Sequence, residues 1–400
     1  MGLRIAHLSF SSSGGAGGVA SRLVDAQRKA GHDAYLVSHI SGSLRDAPFR
    51  SPLHTAAAVV DDSLVRRNGF DAPVSLVRDA LAPVGEKELE GADVIHLHWP
   101  NGLINLTKLG AIAKGRPVVW TLHDMNAFTA VCHYSLECTG FRNGCAECPA
   151  VRGAFRGATS DHFEKKKFAL SSISNLHLVS PSQWLADQAK SSHICSGREV
   201  SVIPNPLPDS SPNPVSKAEA RASLDIDSSV KSVFMLSASS VTDPVKSLMS
   251  AVTAFENAFC DDPSALLLIA GRGQIPTHSP QIRHLGYLDS EQSKRALSAT
   301  DYLVVPSRAE NQPLAISEAQ SYGASLIARN ATGLPEHLEI DPRGFLFDDD
   351  ESLASVLSAA AKAIPTQRMR DALSSRARKR YAVDTVISRY DEVYTKILGH

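Results

Sequence analysis

Apolar residues come along this chain in short runs, and between the runs they recur at helical spacing. Leu3 to Phe10 reads as a first strand. Small and glycine residues follow from Ser11 to Gly18, and Val19 to Ala30 then has helical spacing that stops at Gly31. His32 to Ser38, Asp93 to Trp99, Pro117 to Asp124 and Leu176 to Ser180 read as further strands. Ile104 to Lys114 reads as an amphipathic helix, and another helix starts at Pro181. After Val200 to Pro208, a stretch rich in proline, residues 204–216, reads as a semi-rigid linker. The alternation then restarts. Strands are expected at Lys231 to Ser237, Ala265 to Ala270, Ile282 to Leu288, 302–305, 324–329 and Gly344 to Phe347, with helices at Lys246 to Phe259, 290–299, 313–322 and 351–363. Two tail helices, 365–380 and 384–398, close the chain. Strands alternating with helices predict parallel sheets joined by right-handed crossovers. Residues 41–90 are poorly patterned, with amphipathic stretches near 54–66 and 71–81 that carry no readable chemistry.

A chain of 400 residues holds two domains, each large enough for a core. Its 43% hydrophobic and 21% charged content is that of a globular protein. The formal net charge of −1 leaves no basic field, so no nucleic-acid partner is expected. No apolar run approaches the roughly 20 residues that span a bilayer. Residues 1–10 read as a strand rather than a signal peptide, so a cytoplasmic location is expected.

The densest chemistry lies between Tyr302 and Gly323, read as strand, loop and helix. Ligands of open α/β sheets bind at that end of a strand. Glu310 is in the loop. Glu318 is in the helix, on the face of Leu314 and Tyr322, while Ser317, Gln320 and Ser321 form the other, polar face. A carboxylate among apolar neighbours needs partners, and ligand hydroxyls would serve. Lys246 stands at a loop–helix junction, where an ammonium can meet a diphosphate. The glycines near residue 14 precede a helix start, a place that suits phosphate, although no Walker-type Lys-Ser/Thr follows.

Glu310, seven residues and then Glu318, with Pro306-Ser-Arg-Ala-Glu-Asn-Gln-Pro-Leu before and Gly333-Leu-Pro-Glu336 after, resembles the E-x7-E signature of family 4 retaining glycosyltransferases, in the branch of colanic-acid-type and other exopolysaccharide enzymes. The resemblance covers nearly the whole chain. It implies an α/β chain of the GT-B fold, two Rossmann-like domains with parallel sheets facing across a cleft. The amino-terminal, acceptor-side domain would be 1–205 plus a returning helix, 384–400. The nucleotide-sugar domain would be 206–383. The implied reaction moves a sugar from a nucleotide-diphosphate sugar to a hydroxyl of a glycan or lipid-linked acceptor, in polysaccharide or glycoconjugate biosynthesis. Glu310, Lys246 and His123 would carry catalysis. Gly14 and Gly15 would lie beneath the diphosphate, Gly286, Tyr287 and Leu288 at the base, Glu318 at the ribose, and Glu310, Asn311 and Gln312 at the sugar. Asp124 is a neighbouring acceptor-side candidate. Two positions depart from the family pattern: Ser247 stands where glycine is usual, and Ser239 and Ser240 stand where many members have arginine. The resemblance implies a reaction without a catalytic metal, so none is expected. A sugar-nucleotide 2-epimerase and a non-catalytic binding protein share the architecture and remain alternatives.

Cys132, Cys138, Cys145 and Cys148 form a C-x5-C-x6-C-x2-C cluster. A structural zinc is the favoured reading, with His133 as a substitute ligand; reduced or redox-active thiols, disulfides and an iron–sulfur cluster are the others. Arg152, Arg156 and Lys165-Lys-Lys167 make a basic patch. It reads either as a solvated helix face or as a contact with a diphosphate acceptor or with anionic lipid, peripherally at the inner face of the membrane.

Overall fold

The computed structural model describes residues 2–38, 84–151, 156–208, 215–260, 262–277 and 279–399, together with Val60, residues 73–75 and Ala82. The chain divides into two units: Met1–Asp209 with Val383–His400, and Ser210–Ala382. The amphipathic stretches near 54–66 and 71–81 lie almost entirely outside the described residues, as does Arg152 of the basic patch.

In the first unit the strands are β1 (Arg4–Leu8), β2 (Asp33–Val37), β3 (Val94–Leu97), β4 (Val118–Thr121), β5 (Leu176–Ser180) and β6 (Val200–Val202). They form one parallel sheet in the order β2-β1-β3-β4-β5-β6. Every residue of β3 and β4 is buried, because helices cover both faces of a parallel sheet. Helix α1 (Gly14–Lys29) begins five residues earlier than the spacing of apolar residues predicts, so Gly14 to Gly18 are its first turn rather than a loop. Gly17 shows why: a Cβ there would come within 2.2 Å of the Ser11 carbonyl oxygen. The helix expected over Ile104 to Lys114 is shorter. Asn105 caps a 3-10 turn, Leu106–Lys108, ahead of α2 (Leu109–Ala113), which Lys114 ends at φ 50°. Helices α3 (Arg156–Ser171) and α4 (Gln183–Ser191) complete the layer. The last helix of the chain, Val383–Leu398, also packs on this unit and buries Tyr390 and Tyr394.

In the second unit, β7 (Ser232–Ser240), β8 (Ala265–Arg272), β9 (Ile282–Gly286), β10 (Tyr302–Val305), β11 (Ser325–Arg329) and β12 (Phe345–Phe347) form a parallel sheet in the order β12-β11-β10-β7-β8-β9. Two apolar clusters cover its faces, one around Phe234, Phe255 and Tyr302, the other around Leu268, Leu303 and Leu326. The helices are α5 (Lys217–Ser223), α6 (Leu248–Phe259), α7 (Ser290–Ala299), α8 (Leu314–Ser321), α9 (Asp350–Lys362) and α10 (Gln367–Arg380). Helix α5 carries its own start signal, since Ser216 and Glu219 form a capping box. In α8 the expected polar face is buried: Ser317, Gln320 and Ser321 face α10 and the turn near His337. Gln320 donates to the His337 carbonyl at 3.0 Å, and Ser374 to that of Ser321 at 2.6 Å. Among the described residues no helix is long and apolar enough to cross a membrane.

Both strand orders reverse once, between β1 and β3 in the first unit and between β7 and β10 in the second. At such a point neighbouring connections diverge to opposite faces, which opens a crevice at the strands' carboxyl ends.

Candidate active site

In the second unit the crevice brings Lys246 and Glu310 together. The loop after β7 makes a 3-10 turn, Pro244–Lys246, which the Asp243 carboxylate caps by accepting from Val245 N–H at 2.9 Å. The Arg308 N–H donates to the Val245 carbonyl at 2.9 Å and so ties this turn to the loop after β10. Lys246 Nζ then donates to Glu310 Oε1. The Glu310 backbone is pinned from the far side. Its N–H donates to Thr332 Oγ1 at 2.9 Å, and its carbonyl accepts from Thr332 Oγ1 at 2.7 Å and from Gly333 N–H at 3.0 Å. A Cβ on Gly333 would meet the Asn311 carbonyl oxygen at 2.1 Å, so glycine is needed there. Asn311 and Gln312 are buried, and Tyr381 holds the Gln312 side chain. Helix α6 starts at Leu248, and Ser247 before it sits at φ 52°. That left-handed conformation is what the glycine usual at this position would supply without strain.

In the same unit a cavity of about 190 Å³ opens, lined by Ser237, Ser239, Gly271, Tyr287, Leu288 and Glu318 among others. Gly286 ends β9 at φ 70°, turning the chain so that Tyr287 and Leu288 reach the cavity. The Arg272 guanidinium lies 4.7 Å from the centre of the exposed Tyr287 ring, a cation–π contact. Lys246, Glu310, Glu318, Gly286, Tyr287 and Leu288 thus all lie in one unit.

In the first unit a depression of about 360 Å³ is lined by Ser9, Ser13, Gly15, Gly17, Trp99, His123, Asp124, His133 and Tyr134, among others. Gly14 lies between the lining residues Ser13 and Gly15, at φ 78°, and neither Gly14 nor Gly15 has an atom within 4 Å of where a Cβ would stand. His123 ends a chain of hydrogen bonds that starts deep in the sheet. Gln27 Oε1 is 2.7 Å from His7 Nε2, His7 Nδ1 is 3.0 Å from His98 Nε2, and His98 Nδ1 is 3.1 Å from His123 Nε2. Burial pushes His7 and His123 down to about 4, and His96 and His98 well below the usual histidine value, so all four are neutral at pH 7. A neutral imidazole donates from one nitrogen and accepts at the other. Gln27 donates its amide to Tyr394 at 3.0 Å, so its oxygen must accept from His7. The order then propagates, His98 donating to His7 and His123 donating to His98. Nδ1 of His123 is left as the nitrogen with a lone pair. A parallel branch runs from Tyr394 through His96 at 2.7 Å and Thr121 at 2.8 Å to Tyr390 at 2.8 Å.

The nitrogens of His7, His96 and His98 lie within 4.8 Å of one another, yet each is engaged in the bonds above, which marks a hydrogen-bonded core. His98 bonds to His123, and Trp99 touches Asp124. His133 was missed as a site residue. Its Nδ1 is 2.5 Å from Asp124 Oδ2, its Nε2 is 2.9 Å from Ser75 Oγ, and Trp99 Nε1 donates to Asp124 at 3.0 Å. Burial alone would raise the Asp124 carboxyl; His133 and the Asn126 N–H outweigh it and hold it below the usual range. Ser75 is buried, so Ser75, His133 and Asp124 do not make an exposed nucleophile. These bonds also turn His133 away from the role of substitute metal ligand.

Cys132, Cys138, Cys145 and Cys148 line one cavity of about 20 Å³ and are unbridged. The basic patch is not continuous. Lys166 is buried and donates to the carbonyls of Asn126 at 2.6 Å, Thr129 at 3.0 Å and Ala130 at 3.3 Å, so it contributes nothing to a surface charge.

Two family descriptions match the chain: glycosyltransferase family 4 over residues 13–210 and glycosyl transferases group 1 over residues 231–362. The putative colanic acid biosynthesis glycosyl transferase WcaC of Escherichia coli is 23% identical over 76% of this chain and 75% of its own length. A glycogen synthase of Pseudomonas fluorescens is 30% identical over 123 residues, 29% of this chain, and that match spans only 23% of the synthase. Among solved structures, Anabaena HepE in complex with UDP-glucose superposes with a TM-score of 0.62 at 16% identity, over 98% of this chain and all of that one, which shows the shared GT-B fold.

Proposed function

The chain belongs to the GT-B glycosyltransferases, with a family 4 first unit and a group 1 second unit, and on that premise we propose that it transfers a sugar, with retention, from a nucleotide-diphosphate sugar to a hydroxyl of a glycan or lipid-linked acceptor. The observation that carries this reading is the pairing of Lys246 with Glu310 in the unit whose cavity Glu318 lines. A diphosphate reaching Lys246 draws the ammonium from Glu310 and so frees that carboxylate for sugar hydroxyls. Lys246 then stabilises the charge that grows on the leaving diphosphate, an electrostatic task. Glu318 takes the ribose hydroxyls, and the base rests by Tyr287 and Leu288. Nδ1 of His123 accepts from a sugar hydroxyl, and the Asp124–His133 pair serves the acceptor side. The leaving phosphate takes the acceptor proton, so no separate base is assigned. HepE binds UDP-glucose and WcaC is named for colanic acid synthesis, which supports a hexose donor and a polysaccharide product here.

The test is incubation with a panel of nucleotide-sugars and lipid-linked acceptors, reading sugar incorporation and product anomer by NMR. An α-linked donor should give an α-linked product. Inversion would refute retention, and consumption of donor without any acceptor would replace transfer by epimerisation.

A further inference from the structure

We propose that the depression of the first unit takes an uncharged sugar ring at the growing end of the acceptor, so that this chain lengthens a glycan that an earlier transfer has begun. The inference rests on the glycosyl-transfer reading above and adds the chemical class of the acceptor. Asp124 supplies the depression with a carboxylate. Its Oδ2 accepts from His133 Nδ1 at 2.5 Å and from Trp99 Nε1 at 3.0 Å, and its Oδ1 accepts from the Asn126 N–H at 2.8 Å. An ionised carboxylate has about four acceptor positions, two on each oxygen. Among the described residues Oδ1 therefore has one position to spare, and the side chain is 16% exposed. That position suits a hydroxyl entering the depression. Burial alone would raise the carboxyl, but these donors hold it below the usual range, so it is an anion at neutral pH. A fixed anion repels a phosphate or a carboxylate brought against it and leaves a neutral polyol unopposed.

The rings beside Asp124 suit the rest of a sugar. The Trp99 indole is fixed from two sides: its N–H is bound to Asp124, and the Phe10 ring meets it edge-on with 5.8 Å between centres. Trp99 and Tyr134 both line the depression and both are partly exposed. A pyranose has an apolar face of C–H groups and a rim of hydroxyls. Rigid aromatic surface covers the first. The carboxylate, with the Ser11 and Ser13 hydroxyls, meets the second. The volume, about 360 Å³, falls among small-molecule sites of roughly 300–1,000 Å³. In the transfer an oxygen of this ring forms the new bond to the donor sugar carbon. The bond from that carbon to the diphosphate breaks, and the proton of the hydroxyl leaves on the diphosphate. The acceptor must then come from a reaction that leaves a free sugar hydroxyl at the chain end, which is another glycosyl transfer.

The full chain, labelled with nitrogen-15, has three indole N–H signals, and Trp99→Phe identifies that of Trp99. Methyl glycosides of glucose, galactose and mannose are titrated in, each beside the uronate of the same ring, with and without a nucleoside diphosphate. At least one neutral glycoside should shift the Trp99 signal and leave those of Trp120 and Trp184 in place. Its uronate should bind about tenfold more weakly, the effect of one like-charge contact. Asp124→Asn should narrow that difference, and Tyr134→Ala should weaken the neutral glycoside by about fivefold. Geranyl diphosphate, a lipid diphosphate without a sugar, should leave the Trp99 signal unmoved. A uronate that binds as well as its neutral partner overturns the proposal. So does a shift of the Trp99 signal by geranyl diphosphate, or no shift by any neutral glycoside. Calorimetry with the nucleoside diphosphate tests the transferase reading separately: no binding removes that reading, while normal binding with an unmoved Trp99 signal removes the acceptor assignment alone.

Discussion

The two sites stand at equivalent places in the two sheets but are built from opposite kinds of polar group. In the first unit the buried support is neutral: Gln27, His7, His98 and His123 pass one direction of hydrogen bonding along the sheet, and Tyr394 and Tyr390 from the last helix close the network. In the second unit the support is charged at both ends of β10. Asp301, just before the strand, is fully buried against Lys217 and Arg221 and accepts from Val233 N–H at 2.9 Å. Glu310, beyond the strand, pairs with Lys246. A neutral network fixes where lone pairs and protons point, which suits recognition of hydroxyls. A charged pair stores an attraction that a more highly charged ligand can displace, which suits a diphosphate.

The contrast breaks most visibly at Asp301. Asp301→Ala should destabilise the second unit by about 3–5 kcal/mol, because Lys217, Arg221 and Arg370 would be left around a buried void of charge. Chemical denaturation would read it, and a loss under 1 kcal/mol would deny the second unit its charged support.

Acid should break the first unit instead. His7, fully buried, has its value lowered by burial to about 4, so below the unfolded value the unfolded chain takes the proton first. Stability is therefore complete above about pH 6.5 and is lost as the pH falls toward 4. Between pH 7 and pH 5 His7 alone should cost about 2 kcal/mol. All three tryptophans, Trp99, Trp120 and Trp184, lie in this unit, so their fluorescence reports its unfolding. A flat profile over that range would contradict the neutral network.

Lys246→Ala should weaken nucleoside diphosphate binding by about 1.5–3 kcal/mol, the scale of a charged hydrogen bond. That is roughly 10- to 150-fold, with a smaller loss for the monophosphate. Calorimetry showing equal losses for both would remove Lys246 from the diphosphate. Tyr394→Phe should cost about 1–3 kcal/mol of stability, since Gln27 and His96 would each lose a buried partner. Unchanged denaturation would mean that the last helix docks by apolar burial alone. Ser247→Gly, the smallest effect, should stabilise the second unit by about 1 kcal/mol by relieving the left-handed residue. A destabilised variant would show that the serine side chain contributes more than its backbone costs.

Much of the second site was legible along the chain. Glu310 and Glu318 are eight positions apart on one strand–loop–helix unit, and Lys246 stands at its own loop–helix junction, so local spacing already placed Glu310 and Lys246 on carboxyl-end loops and Glu318 on the helix that follows. The first site was less so. His133 and Asp124 are close in sequence, but what pairs them is a loop whose course depends on the isolated bridge between Val74 and Cys132. The misread polar face of α8 has the same origin. Serine and glutamine read as solvated until α10, from far along the chain, covers them.

Through the family resemblance of its E-x7-E segment the sequence pointed to the GT-B architecture, and by itself it determined the alternation of strand and helix, the strand–loop–helix units that carry Lys246, Glu310 and Glu318, and the clustering of the cysteines. These follow from periodicity, from local turn chemistry and from residue spacing, which act over a few neighbours. Only the tertiary structure decided which way the histidine chain points, that Lys166 is an internal cation rather than part of a surface patch, and that Cys132 and His133 face different cavities. Those depend on contacts between residues far apart in the chain, such as Gln27 with Tyr394, and no local pattern encodes a partner hundreds of positions away.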